Sequence, residues 1–181
     1  MADAPVVGIS GGIGAGKTTI STELASRLGW RRTSFGDYVR KVAVQRGLGT
    51  DRSALQRTGE DLIEQGWERF VEAVLKSCGW SQGFPLVVDG IRHVEALQTI
   101  RHLVAPQPTF LILLELDEGE RESRTKSRDG AASAHLAEAD SHSTETQVPR
   151  ELRECADLVL DTRRPVEELV GAVMQHICSD G

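Results

Sequence analysis

Gly11-Gly12-Ile13-Gly14-Ala15-Gly16-Lys17-Thr18 is the stretch that decides how this chain is read. It fits Gly-x-x-x-x-Gly-Lys-[Ser/Thr], the P-loop pattern. The flanks agree with it. Pro5-Val6-Val7-Gly8-Ile9 is a short apolar, β-branched run, as expected of a buried strand. After the loop, Ile20, Leu24, Ala25 and Leu28 recur at helical spacing, and Gly29 is placed to cap the helix. The residue types follow from the chemistry. Glycines let the backbone curl until several N–H groups point inward at a polyphosphate. The start of the next helix adds its positive dipole end. Lys17 can reach the β- and γ-phosphates and the Thr18 hydroxyl can ligate Mg²⁺.

The whole chain sets bounds on that reading. Its 181 residues suffice for one well-filled domain, 1–181, and are few for two. A net charge of −6 argues against a nucleic-acid partner, which needs an electropositive face. A polyphosphate ligand remains compatible, because loop amides, Mg²⁺ and a few arginines supply positive potential locally. Cys78, Cys155 and Cys178 lack metal-ligand spacing and read as reduced thiols of a cytoplasmic protein. Met1-Ala2-Asp3-Ala4-Pro5 has no basic region and no long apolar core, so neither a secretory leader nor a membrane partner is expected. A monomer or homodimer is expected.

Further along, Trp30 to Phe35 is a candidate second strand, with Gly36-Asp37 opening a helix that stops near Gly47. Asp51 reads as the N-cap of a helical region interrupted at Gly66 and ending at Cys78-Gly79. Leu86-Val87-Val88-Asp89 is an apolar run closed by a carboxylate, and a helix follows from Val94 to Leu103. Thr109 to Leu116, the most apolar run, suits a central buried strand. Asp117 is placed to cap a short helix. Ala156 to Leu160 reads as the last strand, and Pro165 as the first residue of the final helix. Strands alternate with helices, so the class is α/β with a parallel sheet.

Several residues beyond the loop carry chemistry. Asp89 closes a strand where ligands sit in open parallel sheets, so it is a candidate to hold Mg²⁺ opposite Thr18. Arg92 follows in Asp89-Gly90-Ile91-Arg92, where a guanidinium can clamp a phosphate bidentately. Arg121, Arg124 and Arg128 share one helical face and can neutralise charge on a transferring phosphoryl group. Arg40, three residues after Asp37, can meet an acceptor phosphate, and Gln56 and Arg57 an acceptor base. Each has a plainer competing reading, a turn cap or a solvated helix face. His135 and His142 read as exposed.

With these parts in this order, the chain resembles the nucleoside monophosphate kinases of the P-loop superfamily, in their adenylate-kinase-like branch. The carriers are Gly36-Asp37-Tyr38-Val39-Arg40, Leu55-Gln56-Arg57-Thr58-Gly59, Asp89-Gly90-Ile91-Arg92 and Ala156-Asp157-Leu158-Val159-Leu160, besides the loop itself. The resemblance implies a five-stranded parallel sheet flanked by helices, a helical insert at 36–80 that binds the acceptor, and a lid at 121–148. It implies ATP and Mg²⁺ as cofactors and phosphoryl transfer to a nucleoside or deoxynucleoside monophosphate as the activity. Gly11, Gly12, Ile13, Gly14, Ala15, Gly16, Lys17, Thr18 and Thr19 would then bind ATP, with Arg163 near its base. Asp37, Arg40, Gln56 and Arg92 would hold the acceptor. Lys17, Arg92, Arg121, Arg124 and Arg128 would act on the transferred group. Residues 129–148 hold no arginine or lysine, so the lid's charge would rest on Arg121, Arg124, Lys126 and Arg128. A dephospho-coenzyme A or other small-molecule kinase remains open, as does a slow nucleotide-gated ATPase that works through a partner.

Overall fold

The computed structural model describes residues 4–115 and 150–179. Five strands form one parallel sheet: β1 (Val6–Gly11), β2 (Arg31–Ser34), β3 (Leu86–Ile91), β4 (Thr109–Glu115) and β5 (Leu158–Asp161). Their spatial order is β2-β3-β1-β4-β5, so the glycine loop leaves the central strand. The helices are α1 (Lys17–Leu28), α2 (Phe35–Gln45), α3 (Arg52–Glu64), α4 (Trp67–Lys76), α5 (Val94–Val104) and α6 (Val166–Ser179). The α/β class and the five-stranded parallel sheet agree with the sequence reading.

Strand alternation divides the core. Val6, Leu86, Val88 and Leu111 face α2, α4 and α5, with Phe70, Val71, Leu97 and Ile100 packed against them. Val7, Ile9, Val87, Ile112 and Leu114 face the other way, onto Ile20 and Leu24 of α1 and Leu169, Val170 and Val173 of α6. Each such side chain, fully buried, contributes roughly 1.5–3 kcal/mol. The pleat has a consequence for the site. Asp89 lies two residues beyond Val87 and therefore falls on the α1 side of the sheet.

Some boundaries differ from expectation. The helix expected to open at Gly36-Asp37 starts at Phe35, and its N-cap is Ser34, whose hydroxyl accepts from the Asp37 amide. Burial of the Phe35 ring, 5.4 Å edge-on from Phe70, draws that residue into the helix. Asp51 caps α3 as expected, accepting from the Ala54 amide. Pro165 stands just before α6 and contributes its carbonyl to the amides of Glu168 and Leu169. The last strand starts at Leu158, not Ala156, because Asp157 spends its carboxylate on the backbone amide of Leu111 (2.6 Å) and pins the strand's entry.

The opposite end of the sheet is stitched by Gln107, which donates to the Ala4 carbonyl (2.6 Å) and accepts from the Gly83 amide (2.8 Å). Among the described residues, no helix is long and apolar enough to cross a membrane. The cysteines are free thiols.

Candidate active site

Parallel pairing brings the chemistry to one edge. Gly11 at the end of β1 is level with Leu114 of β4, and through it with Leu160 of β5. Ser34 at the end of β2 is level with Asp89 of β3, itself paired with Ile9. The glycine loop, Asp89, the start of α2, Arg92 and the turn holding Arg163 therefore all leave the carboxyl edge of the sheet, where open α/β sheets take their ligands.

The loop is shaped for backbone approach. Gly14 has φ +80° and Gly16, the N-cap of α1, has φ +79°. Lys17 folds back across it, its ammonium donating to the carbonyls of Gly11 (2.8 Å) and Gly12 (2.7 Å). Thr18 and Thr19 are exposed on the first turn of α1. Gly11 is constrained twice, by a φ of +148° and by Leu114. A Cβ there would lie 2.5 Å from the Leu114 carbonyl oxygen, whereas one on Gly16 would meet nothing within 4 Å. Gly11→Ala is therefore expected to cost clearly more in chemical denaturation than Gly16→Ala, because the Leu114 clash is added to the roughly 1–2 kcal/mol of positive-φ strain that both share. Equal losses in both would show that the Leu114 contact does not shape the loop.

Asp89 is buried and makes its contacts through one oxygen. Its Oδ2 accepts from Ser21 of α1 (3.1 Å) and from Nη2 of Arg32 (2.5 Å). Ser21 also donates to the Thr18 carbonyl (3.1 Å), so the carboxylate rests against the first turns of α1. Gly90, at φ +85°, makes the bulge by which Ile9 pairs with Asp89 but Ser10 with Ile91. The donors here are carboxylate and hydroxyl oxygens, hard ligands that suit Mg²⁺. Among the described residues no cluster of three or more His, Cys, Asp or Glu could cage a metal. A Mg²⁺ ion at Asp89 and Thr18 would therefore draw further ligands from phosphate and water.

At the start of α2, Asp37 is 72% exposed and pairs with Nη1 of Arg32 at 3.4 Å. Arg40 is exposed one turn further along α2, and Arg92 is exposed between β3 and α5. Gln56 lies on the outer face of α3, where it donates to Glu60 (3.1 Å). The exposed Arg163 is turned onto Asp161 and holds that carboxyl down at about 2, chiefly through its side-chain hydrogen bonds. Arg121, Arg124, Lys126, Arg128, His135 and His142, the Asp117 cap and the 121–148 lid lie outside the described residues.

Three contributors escaped the sequence reading. Arg32 is one. Half-buried Trp67 and His93 are the others, their rings 5.1 Å apart and tilted by 51°. Trp67 stacks on Phe70 (6.2 Å), and Tyr38 lies 6.0 Å from Phe70, tilted by 40°. Burial lowers the pKa of His93, opposed by Glu95 and aided by Arg92. The unfolded chain thus binds the His93 proton more readily than the folded one. The neutral ring's contribution to stability is complete above the ordinary histidine value near 6.5 and is lost as the pH falls from there toward the lowered value. Denaturation midpoints should drop between pH 7 and pH 5, and His93→Gln should flatten that slope. An unchanged slope in the variant would assign the pH dependence to other groups.

A family model described as an AAA domain matches residues 7–141. Comparison with curated proteins finds no match. Among solved structures, the chain is similar to APE1195, with 23% identity, a TM-score of 0.63, and coverage of 99% of this chain and 97% of that one. It is similar to the Mycobacterium tuberculosis APS kinase CysC, solved with AMPPNP and APS: 18% identity, TM-score 0.62, 98% and 99% covered. The shikimate kinase of Aquifex aeolicus gives 15% identity and a TM-score of 0.61, with 97% of each chain covered. At these identities the likeness is one of fold, and the fold is that of the P-loop kinases.

Proposed function

This chain belongs to the AAA domain family, and from that premise we propose that it is a P-loop phosphotransferase, passing the γ-phosphoryl of Mg·ATP to a nucleoside or deoxynucleoside monophosphate. One observation carries the reading. A single side chain, Arg32, spans from Asp89 and Ser21 beside the glycine loop to Asp37 at the start of α2. The donor cradle and the helix bearing Arg40 thus lie within one guanidinium's reach. A protein that only bound or slowly hydrolysed ATP would need no second anion-binding surface there.

In this reading the protein does little covalent chemistry. It aligns donor and acceptor, stabilises charge and excludes water. Loop amides and Lys17 hold the β- and γ-phosphates, and Thr18 and Asp89 are the residues that would hold Mg²⁺. The metal supplies charge neutralisation on the phosphate oxygens. Arg40, in the insert 36–80, and Arg92, beyond it, hold the acceptor phosphate, with Asp37 of the insert beside it and Gln56 toward the acceptor base. Arg163 flanks the donor base. Arg121, Arg124 and Arg128, expected from the sequence to act on the transferred group, lie outside the described residues.

The acceptor's base is favoured by the half-exposed aromatic group. Tyr38 and the Trp67–His93 pair, next in sequence to Arg92, offer planar surfaces suited to a planar ring. The similar folds supply the competing reading, since their names specify APS and shikimate as substrates. A coupled ADP-release assay across nucleoside and deoxynucleoside monophosphates, dephospho-coenzyme A, adenylyl sulfate, shikimate and gluconate decides between them. Turnover on a monophosphate at least about tenfold above every other acceptor is expected. Preference for any acceptor that is not a nucleoside or deoxynucleoside monophosphate would reject the acceptor class while leaving the phosphotransferase intact. No turnover on any acceptor would remove both.

A further inference from the structure

Arg32 lies on the edge strand β2, yet its side chain is only 20% exposed. Its donors serve three partners: Nε gives to Ser21 (2.8 Å), Nη2 to Asp89 (2.5 Å) and Nη1 faces Asp37 (3.4 Å). Strand alternation explains the direction. Thr33 points to α4, donating to the Val74 carbonyl (2.8 Å), so Arg32 points to the α1 side, where Asp89 also lies. The guanidinium and the Ser21 hydroxyl converge on the same carboxylate oxygen, Oδ2. Among the described residues no hydrogen bond reaches Oδ1, so the protein's donors hold this carboxylate through Oδ2 alone.

We infer that Arg32 is a positioning residue for Asp89 that prevents this carboxylate from holding a free divalent cation, so that the metal enters only with the phosphates of the nucleotide. The inference rests on Asp89 being the metal-facing carboxylate of the proposed function. The charges give the reason. Asp89 has a side chain only 4% exposed and needs a counter-charge, and the guanidinium already supplies it. A divalent cation arriving alone would meet a neutralised carboxylate beside a fixed positive charge. One arriving with a polyphosphate brings its own negative charge, and no donor among the described residues occupies Oδ1. Without Arg32 the same carboxylate, Ser21 and Thr18 would form an acidic oxygen site open to any hard cation.

The test is Mn²⁺ titration of the nucleotide-free protein, with unbound Mn²⁺ read by electron paramagnetic resonance. The wild-type chain is expected to bind Mn²⁺ alone no tighter than about 1 mM, the weak range for such sites. Arg32→Gln is expected to bind one ion at least about tenfold tighter, because a unit charge is removed from within a few ångströms. Arg32→Lys, which keeps the charge, should stay within about threefold of wild type. Adding Asp89→Asn to Arg32→Gln should abolish the gain. An Arg32→Gln affinity equal to that of wild type overturns the inference, as does a gain that survives Asp89→Asn. If Arg32→Gln fails to fold, the wild-type chain still decides, since binding of Mn²⁺ alone below about 0.1 mM overturns it. The outcome is separable from the fate of the kinase reading. The metal pattern can appear in a chain that phosphorylates no acceptor, and turnover without the pattern sinks this inference alone.

Discussion

Lys17→Ala is expected to lower turnover by roughly 10²-fold or more, the scale for losing one strong transition-state contact. The ammonium rests on the carbonyls of Gly11 and Gly12, 2.8 and 2.7 Å away. Those carbonyls belong to the glycine loop, so the lysine folds back on the segment that carries it. A bound polyphosphate offers a far stronger partner, and the lysine then bridges the β- and γ-phosphates. The loss should therefore fall on kcat, with little change in stability, because water replaces the two resting hydrogen bonds. Steady-state kinetics beside a denaturation curve would read both. Near-normal turnover in a folded Lys17→Ala protein would remove the glycine loop from the mechanism.

The loop was legible because it is local. Its glycines, lysine and threonine lie within eight residues, and the strand and helix on either side announce themselves by periodicity. The same holds for Asp51, whose cap needs only the amide three residues on. Arg32 had no such signal. Its partners are five, eleven and fifty-seven residues away and meet it only once β2 pairs with β3 in register. Nothing in the sequence brings Trp67 to His93, twenty-six residues later. The start of α2 at Phe35 with Ser34 as its cap, in place of Gly36-Asp37 opening the helix, is a subtler case, because Ser and Asp both suit helix starts. The buried Phe35 ring chose between them. Local chemistry was therefore readable, while charge pairs closed by the sheet were not. Those pairs join β2, β3 and the start of α2 at the carboxyl edge of the sheet.

The division of labour between Asp89 and Arg92 gives the second large effect. The two residues flank Gly90 and Ile91 at the end of β3, yet they leave it in different settings. Asp89 is buried against α1, held by Arg32 and Ser21, while Arg92 is exposed at the entry to α5 beside His93. If Asp89 faces the metal, Asp89→Asn should raise the Mg²⁺ concentration needed for half-maximal turnover while leaving acceptor affinity nearly intact. The amide keeps the shape but loses the charge, and Arg32 loses its main counter-ion, retaining Asp37 at 3.4 Å. A modest fall in stability should accompany the change. Arg92→Ala acts elsewhere. Loss of a charge-assisted contact of about 2–3 kcal/mol predicts a rise of roughly 30- to 160-fold in acceptor KM. ATP KM should stay within about threefold, and stability should hardly move, because an exposed side chain is removed. Full kinetics with ATP, acceptor and Mg²⁺ varied in turn would separate the two patterns. The same set of defects in both variants would mean that the end of β3 serves one ligand and not two, and the acceptor clamp would then have to be sought on α2 alone.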